Sequence, residues 1–139
     1  MAHLFGTDAW IKAYMQVINN SPAYERAATT WEGDFYFVIS PEALYEEEAI
    51  YYIDLWHGKC RSACLVEDAA DYSPEFRMET SDLNWQAVVE KRLDPIQGMM
   101  TRKIKLQGNM AKIMRAVAAA KELVNCASDV PTSFPDPKS

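Results

Sequence analysis

Between Phe35 and Glu79 the chain changes its hydrophobic period, and this change limits the folds open to it more than any other feature. Upstream, Trp10, Tyr14, Val17 and Ile18 recur at helical spacing behind Thr7-Asp8, an N-cap followed by an acid near the positive end of the helix dipole. Ser21-Pro22 restarts a helix that runs through Tyr24 and Ala27 towards Trp31, with proline at the first helical position, and Gly33 breaks it. From Asp34 the side chains alternate between two faces, as they do along strands. Phe35-Tyr36-Phe37-Val38-Ile39 is aromatic and β-branched and ends before Pro41. A second strand, Ile50 to Trp56, follows the exposed Glu46-Glu47-Glu48, with Tyr51, Ile53 and Leu55 on one face. His57-Gly58-Lys59 predicts a tight turn into a third strand, Cys60 to Val66. After Pro74, Phe76 and Met78 alternate with Arg77 and Glu79 in a fourth.

Helical periodicity then returns. Ser81-Asp82 caps a helix whose apolar stripe is Trp85, Val88 and Val89. Asp94-Pro95 opens a short helix presenting Ile96, Met99 and Met100. Lys103 to Gln107 alternates polar and apolar as a fifth strand, Gly108 turns the chain, and a long helix from Asn109 to about Cys126 carries Met110, Ile113, Met114, Val117 and Val124. Strands in a block between helices predict an α+β fold, a five-stranded mostly antiparallel sheet with helices on one face and the first four strands mostly joined as hairpins. Residues 1–126 read as a single domain with extra helices over 7–31. Residues 127–139, with Pro131, Pro135 and Pro137, read as an irregular or mobile tail, and His3 falls in a frayed terminus. With 139 residues, 49% apolar and 24% charged, the chain can bury a core without disulfide or metal staples.

Fourteen basic against twenty acidic residues leave a net charge of −6. Without a basic surplus to release phosphate counterions, nucleic acid is not an expected partner. No run of 18 apolar residues is present to span a bilayer, and Met1 to Trp10 lacks the character of a signal peptide. Cys60, Cys64 and Cys126 cannot all pair, which reads as a reduced, cytoplasmic protein with at most transient membrane contact, a monomer or homodimer.

Asp54, His57, Cys60 and Cys64 are the one cluster that invites chemistry. As a metal site its spacing fails. Two cysteines four apart on a strand lie about 13 Å apart, too far for a common zinc ion or a disulfide. No metal, no cofactor and no catalytic residue is therefore assigned. Asp54 and His57 remain the basis of an alternative, an enzyme acting on a hydrophobic small molecule, which requires both to face a pocket. A second alternative is a non-catalytic interaction module that dimerises through Trp31 or Trp56.

The inward faces carry bulky, adaptable side chains, among them Phe35, Phe37, Phe76, Met78, Met99, Met100, Met110 and Met114. These suit either a methionine-rich core or a surface that repacks around an apolar ligand. Leu93 to Leu123, LDPIQGMMTRKIKLQGNMAKIMRAVAAAKEL, resembles the C-terminal signature of the sterol carrier protein 2 (SCP2) family. It has Asp94, an apolar short helix over Ile96 to Met100, the turn Thr101-Arg102-Lys103, the strand Ile104 to Gly108, and Asn109-Met110 opening a long apolar helix. Arg102 stands where the family usually has glycine. The N-terminal helix pair and Asp54-Leu55-Trp56-His57-Gly58 fit a prokaryotic branch. The resemblance covers residues 20 to 125 or so. It implies an apolar tunnel between sheet and helices, and non-catalytic binding and carriage of a fatty acid, fatty acyl-CoA, sterol-like molecule or phospholipid. By position, Phe37, Ile53, Leu55, Phe76 and Met78 would line the tunnel from the sheet. Ile96, Met99 and Met100 would form a lid, and Met110, Ile113, Met114 and Val117 would come from the last helix. Arg102, Lys103 and Lys105 are either contacts for an anionic head group or ordinary solvated cations. The matching cavity would be closed and several hundred Å³ in volume, as ligand sites are.

Overall fold

The structure, a computed structural model, describes residues 2–138. Along the chain it forms β1 (His3–Leu4), α1 (Asp8–Asn19), α2 (Pro22–Ala27), β2 (Glu32–Ser40), β3 (Ala49–Trp56), β4 (Lys59–Val66) and β5 (Phe76–Ser81). These are followed by α3 (Asp82–Val89), α4 (Pro95–Met100), β6 (Lys105–Gln107), α5 (Met110–Met114), α6 (Val117–Asp129) and β7 (Thr132–Ser133). Polar side chains start the helices as the sequence predicts. Thr7, Ser21, Ser81, Asp94 and Asn109 each accept a hydrogen bond from a backbone N–H in the first turn.

Five strands form one sheet in the order β4-β3-β2-β5-β6. Its inner face, with Phe35, Ile39, Tyr51, Ile53, Leu55, Phe76 and Met78, shares a single apolar core with Trp10, Tyr14, Tyr24, Trp85, Ile113 and Ala119 of the helices. His57 and Gly58, at φ 50° and 81°, make the β3–β4 turn, as a two-residue hairpin with both central residues left-handed requires. One register shift follows. Asp54 pairs with Ser62 but Leu55 with Cys60, so Arg61 is an extra, bulged residue. The bulge places Cys60 in the inner core and Cys64 on the opposite face.

The expected hairpin between the third and fourth strands does not form. β5 instead pairs parallel to β2. A parallel partner requires a crossover, and residues 67–75 supply it across the outer face of the sheet. Tyr36, Val38, Ile50, Tyr52 and Val66 are buried on that side. Tyr72 of the crossover stacks on Tyr52 at 3.9 Å, and the Tyr36 hydroxyl bonds to Ala69 O and to Tyr72 N–H. The outward alternation of aromatic and β-branched residues therefore serves this strap.

Two further expectations are corrected. The single long last helix is broken at Arg115–Ala116 into α5 and α6, with no glycine or proline there to signal it. The C-terminal segment is ordered further than the sequence predicts, with residues 134–138 lacking regular structure, and His3 is paired in a strand. α6 continues to Asp129, Thr132–Ser133 pair parallel with His3–Leu4, Phe134 packs on Phe5 at 5.4 Å, and the Trp10 indole donates to Thr132 Oγ1. Aromatic packing at both ends outweighs the proline content.

α3 and α4 end alike. Lys91 and Arg102 follow the last turns at φ 62° and 64°, the left-handed conformation that favours glycine after a helix. Replacing Arg102 with Gly should raise the unfolding free energy by about 1 kcal/mol, seen as a higher urea midpoint. An unchanged midpoint would show that the strain is relieved elsewhere.

Candidate functional site

Helix and sheet do not close completely over the inner face. Phe37 and Met78 are neighbours across the β2–β5 pairing, and together with Phe35 they floor an apolar hollow of about 90 Å³. Trp85, Val88 and Val89 of α3 wall it on one side, Pro95 and Met99 of α4 on another, and Ile113, Ala120, Leu123 and Val124 form its roof. Trp10 and Tyr14 complete the wall. The polar atoms that approach are already engaged. The Trp85 indole donates to Val38 O and the Tyr14 hydroxyl to Leu123 O. What faces the hollow is therefore ring and aliphatic surface.

The cause of the gap is small side chains on α6. Ala119 and Ala120 present a single methyl each where a leucine would fill the space. On one side lies a second, smaller hollow of about 30 Å³, bounded by Tyr24, Trp31, Leu55 and Ala119. On the other lies an open groove of about 350 Å³ between residues 91–96 and α6. Ala120 borders all three spaces. Pro95 and Val124 are shared by the groove and the larger hollow. Gly98 lets α4 sit close, since a Cβ there would meet the Ile104 side chain at 2.7 Å.

The residues expected to line a tunnel fall into distinct places. Phe37, Met78, Met99 and Ile113 border the larger hollow, Leu55 and Ile113 the smaller one, and Ile96 and Val117 the outer groove. Ile53 and Phe76 are fully buried in the core, where Phe76 stacks on Phe35 and meets Trp31 at a tilt. Met110 packs part-buried against the core, outside the described hollows. Met100 is 64% exposed and Met114 39%. Adjacent residues on a helix point about 100° apart, so Met99 turned inward sends Met100 outward. Met114 is carried outward at the end of α5, where the chain breaks before α6. Trp85, Ala120 and Leu123 also border the hollow, outside the lining that the sequence predicts. Trp85 had a signal as part of a helical stripe, whereas an alanine carries none. The space itself is also smaller than the several hundred Å³ expected, below the roughly 300 Å³ lower range of ligand pockets.

The cluster that invited chemistry comes apart. Asp54 faces outward and takes two hydrogen bonds from Arg61, at 3.0 and 3.2 Å. His57 Nε2 meets Glu32 Oε2 at 2.6 Å, so Asp54 and His57 do not form the pair that the enzyme reading needs. Burial pushes the Cys60 thiol up to about 12, far from a reactive thiolate. No group of His, Cys, Asp and Glu able to hold a metal occurs among the described residues. Trp31 is buried against Phe35 and Phe76 and offers no dimer contact, while exposed Trp56 lies under the Arg61 guanidinium at 4.3 Å. Arg102, Lys103 and Lys105 are exposed and border none of the three spaces.

Comparison with known proteins gives a consistent answer. The model of the SCP-2 sterol transfer family matches residues 11–121. A crystal structure of sterol carrier protein 2 superposes with a TM-score of 0.80 at 34% identity, covering 91% of this chain and 98% of that one. The solution structure of a conserved hypothetical protein from Thermus thermophilus gives 0.84 at 34% identity, covering 96% and 94%. Mouse stomatin-like protein 1 is 29% identical over 76 residues, which is 55% of this chain but only 18% of that protein.

Proposed function

The chain belongs to the SCP-2 sterol transfer family, and on that premise we propose that it binds and carries an apolar lipid in the space between its sheet and α6, without making or breaking bonds. The observation that carries this reading is the larger hollow. Its walls are apolar, its nearby polar atoms are satisfied, and it meets the open groove along Pro95, Ala120 and Val124. Phe37, Met78, Met99 and Ile113 would contact the bound chain, with Leu55 at its side and Ile96 and Val117 along its way in. Fatty acids, fatty acyl-CoA, sterol-like molecules and phospholipids all present the required surface.

At 90 Å³ the hollow admits only part of such a molecule, so binding requires α6 to move outward. The local structure favours that. α6 begins at Val117 behind Ala116, which supplies no side-chain cap, just after the break from α5, and Val117 is 45% exposed. Few buried contacts are lost when an alanine-rich turn swings away. Each methylene transferred from water returns about 0.8 kcal/mol. Lipid would be collected and released by transient membrane contact.

The test is displacement of a fluorescent fatty acid, paired with native mass spectrometry of gently purified protein. One lipid per chain with a micromolar dissociation constant, about −8 kcal/mol, is expected. Absence of binding up to about 1 mM, near −4 kcal/mol, would overturn the proposal.

A further inference from the structure

The two hollows beneath α6 are separate spaces with a common wall. Phe35, Ile113 and Leu123 border both, so these side chains divide them. Behind the wall, the smaller hollow runs out against Tyr24, Trp31 and Leu55, all buried. A chain that enters from the groove by Pro95, Ala120 and Val124 crosses the larger hollow and meets the wall next.

Each part of the wall is fastened from outside the hollows. Phe35 stacks on Phe76 at 5.0 Å and on Trp31 at 5.9 Å. Leu123 lies on α6 beyond the alanine-rich turn, and its carbonyl accepts from the Tyr14 hydroxyl at 2.9 Å. Ile113 is fastened through its neighbour. The half-buried Lys112 donates to Glu32 O and, at 2.8 Å, to Glu75 Oε2. Its ammonium also lies over the rings of Trp31 and Phe76, at 4.9 and 5.6 Å, where the ring faces attract a cation. These contacts tie α5 to the first residue of β2 and to the residue before β5. The start of α6, by contrast, has no side-chain cap.

Resting on the apolar-ligand reading above, we infer that this wall is a stop that sets the length of chain the protein accepts. Ile113 is the residue that specifies the length, and Lys112 is the positioning residue that keeps Ile113 in place while the first turn of α6 swings out. Carbons that cannot pass the stop stay in water and add nothing to binding. Leu55 lies just behind the stop, beside the end of the chain.

Straight-chain carboxylates of every length from octanoate to octadecanoate keep one head and vary only the tail. Each would be titrated against the fluorescent fatty acid. Affinity should rise about fourfold per methylene, the worth of one buried CH2, up to a limiting length, and stay level beyond it. Ile113→Ala shortens the wall and joins the hollows. The limit should then move up by about four carbons, three replacing the lost side chain and one in the smaller hollow, whose volume is near that of a water molecule. Adding Ala119→Leu restores the volume from the other side and should return the limit to that of the parent. Lys112→Met should let chains past the limit gain about one further fourfold step, and Lys112→Arg, which keeps the charge, should not. Urea unfolding checks each variant. Where Ile113→Ala proves unfolded, Ile113→Val carries the test with a shift of about one carbon. If the parent shows no limit, or a folded Ile113 variant keeps the parent's limit, the chain does not end at this wall and only this inference falls. A parent-like limit in Lys112→Met removes Lys112 from the stop. If the parent binds none of the series, the apolar-ligand reading falls as well.

Discussion

Asparagine in place of Asp82 is expected to lower the unfolding free energy by about 3 kcal/mol, read as a drop in the urea midpoint. Asp82 has no exposed surface. Its carboxylate accepts hydrogen bonds from the backbone N–H groups of Glu42, Ala43, Leu44 and Tyr45, at 2.8 to 3.2 Å. Burial alone would raise its pKa. The donors at Glu42, Leu44, Ala43 and Tyr45 outweigh it and hold the carboxyl below the ordinary aspartate value. Oδ2 takes all four N–H groups and Oδ1 a second bond from Ala43, so an amide whose oxygen stands at Oδ2 keeps the contacts but not the negative charge that strengthens them, and its –NH2 group is set against Ala43 N–H. The damage should spread, because this loop ties down both ends of the chain. Tyr45 donates to Phe5 O, and Lys138 N–H donates to Ala43 O.

The same group fixes a pH dependence. A carboxyl whose folded pKa is depressed contributes stability that is complete above its unfolded pKa, about 3.9. That contribution drains away as pH falls through the lower folded value. The parent protein should lose stability steeply below about pH 4, and Asp82→Asn should flatten that limb. Parallel acid titrations of the two proteins would show that the carboxylate is not the anchor.

Phenylalanine in place of Ala120 should weaken lipid binding by about 100-fold while changing stability by no more than about 1 kcal/mol. Ala120 borders both hollows and the groove. A ring there occupies the space that a ligand tail would take. Excluding four methylenes forfeits roughly 3 kcal/mol of transfer energy, which sets the fold-change. Ala118→Phe on the exposed side of the same turn is the control. Both variants would be compared by probe displacement and urea unfolding. Unaltered affinity in Ala120→Phe would remove the hollow as the binding site.

Much of this arrangement is legible in the residues, and the remainder fails for identifiable reasons. Two-fold alternation puts Phe37 and Met78 on a shared inner face, and the cap residues Ser21, Ser81, Asp94 and Asn109 mark helix starts because their chemistry is local. The parallel β2–β5 pairing is not local. It depends on the strap over Tyr36 and Tyr52, which alternation alone cannot distinguish from a solvated face. The Arg61 bulge shifts Cys60 and Cys64 to opposite faces, and no residue type announces it. Ser81-Asp82 reads as a capping pair, and in the structure Ser81 caps the helix while Asp82 holds a loop about forty positions away in sequence. Met100 and Met114 carry the composition of a lining, but their direction is set by one inward neighbour and by a helix break. The hollow itself is made by what α6 lacks, and absence of side-chain volume leaves no pattern to read.

The indoles are distributed unevenly about this space. Trp10 and Trp85 border the larger hollow and Trp31 the smaller, whereas Trp56 lies on the far side of the sheet beside Arg61. A ligand entering as proposed would therefore change the intrinsic emission of the protein, and silencing the one remote fluorophore with Trp56→Phe would leave an optical reporter of cargo that needs no dye.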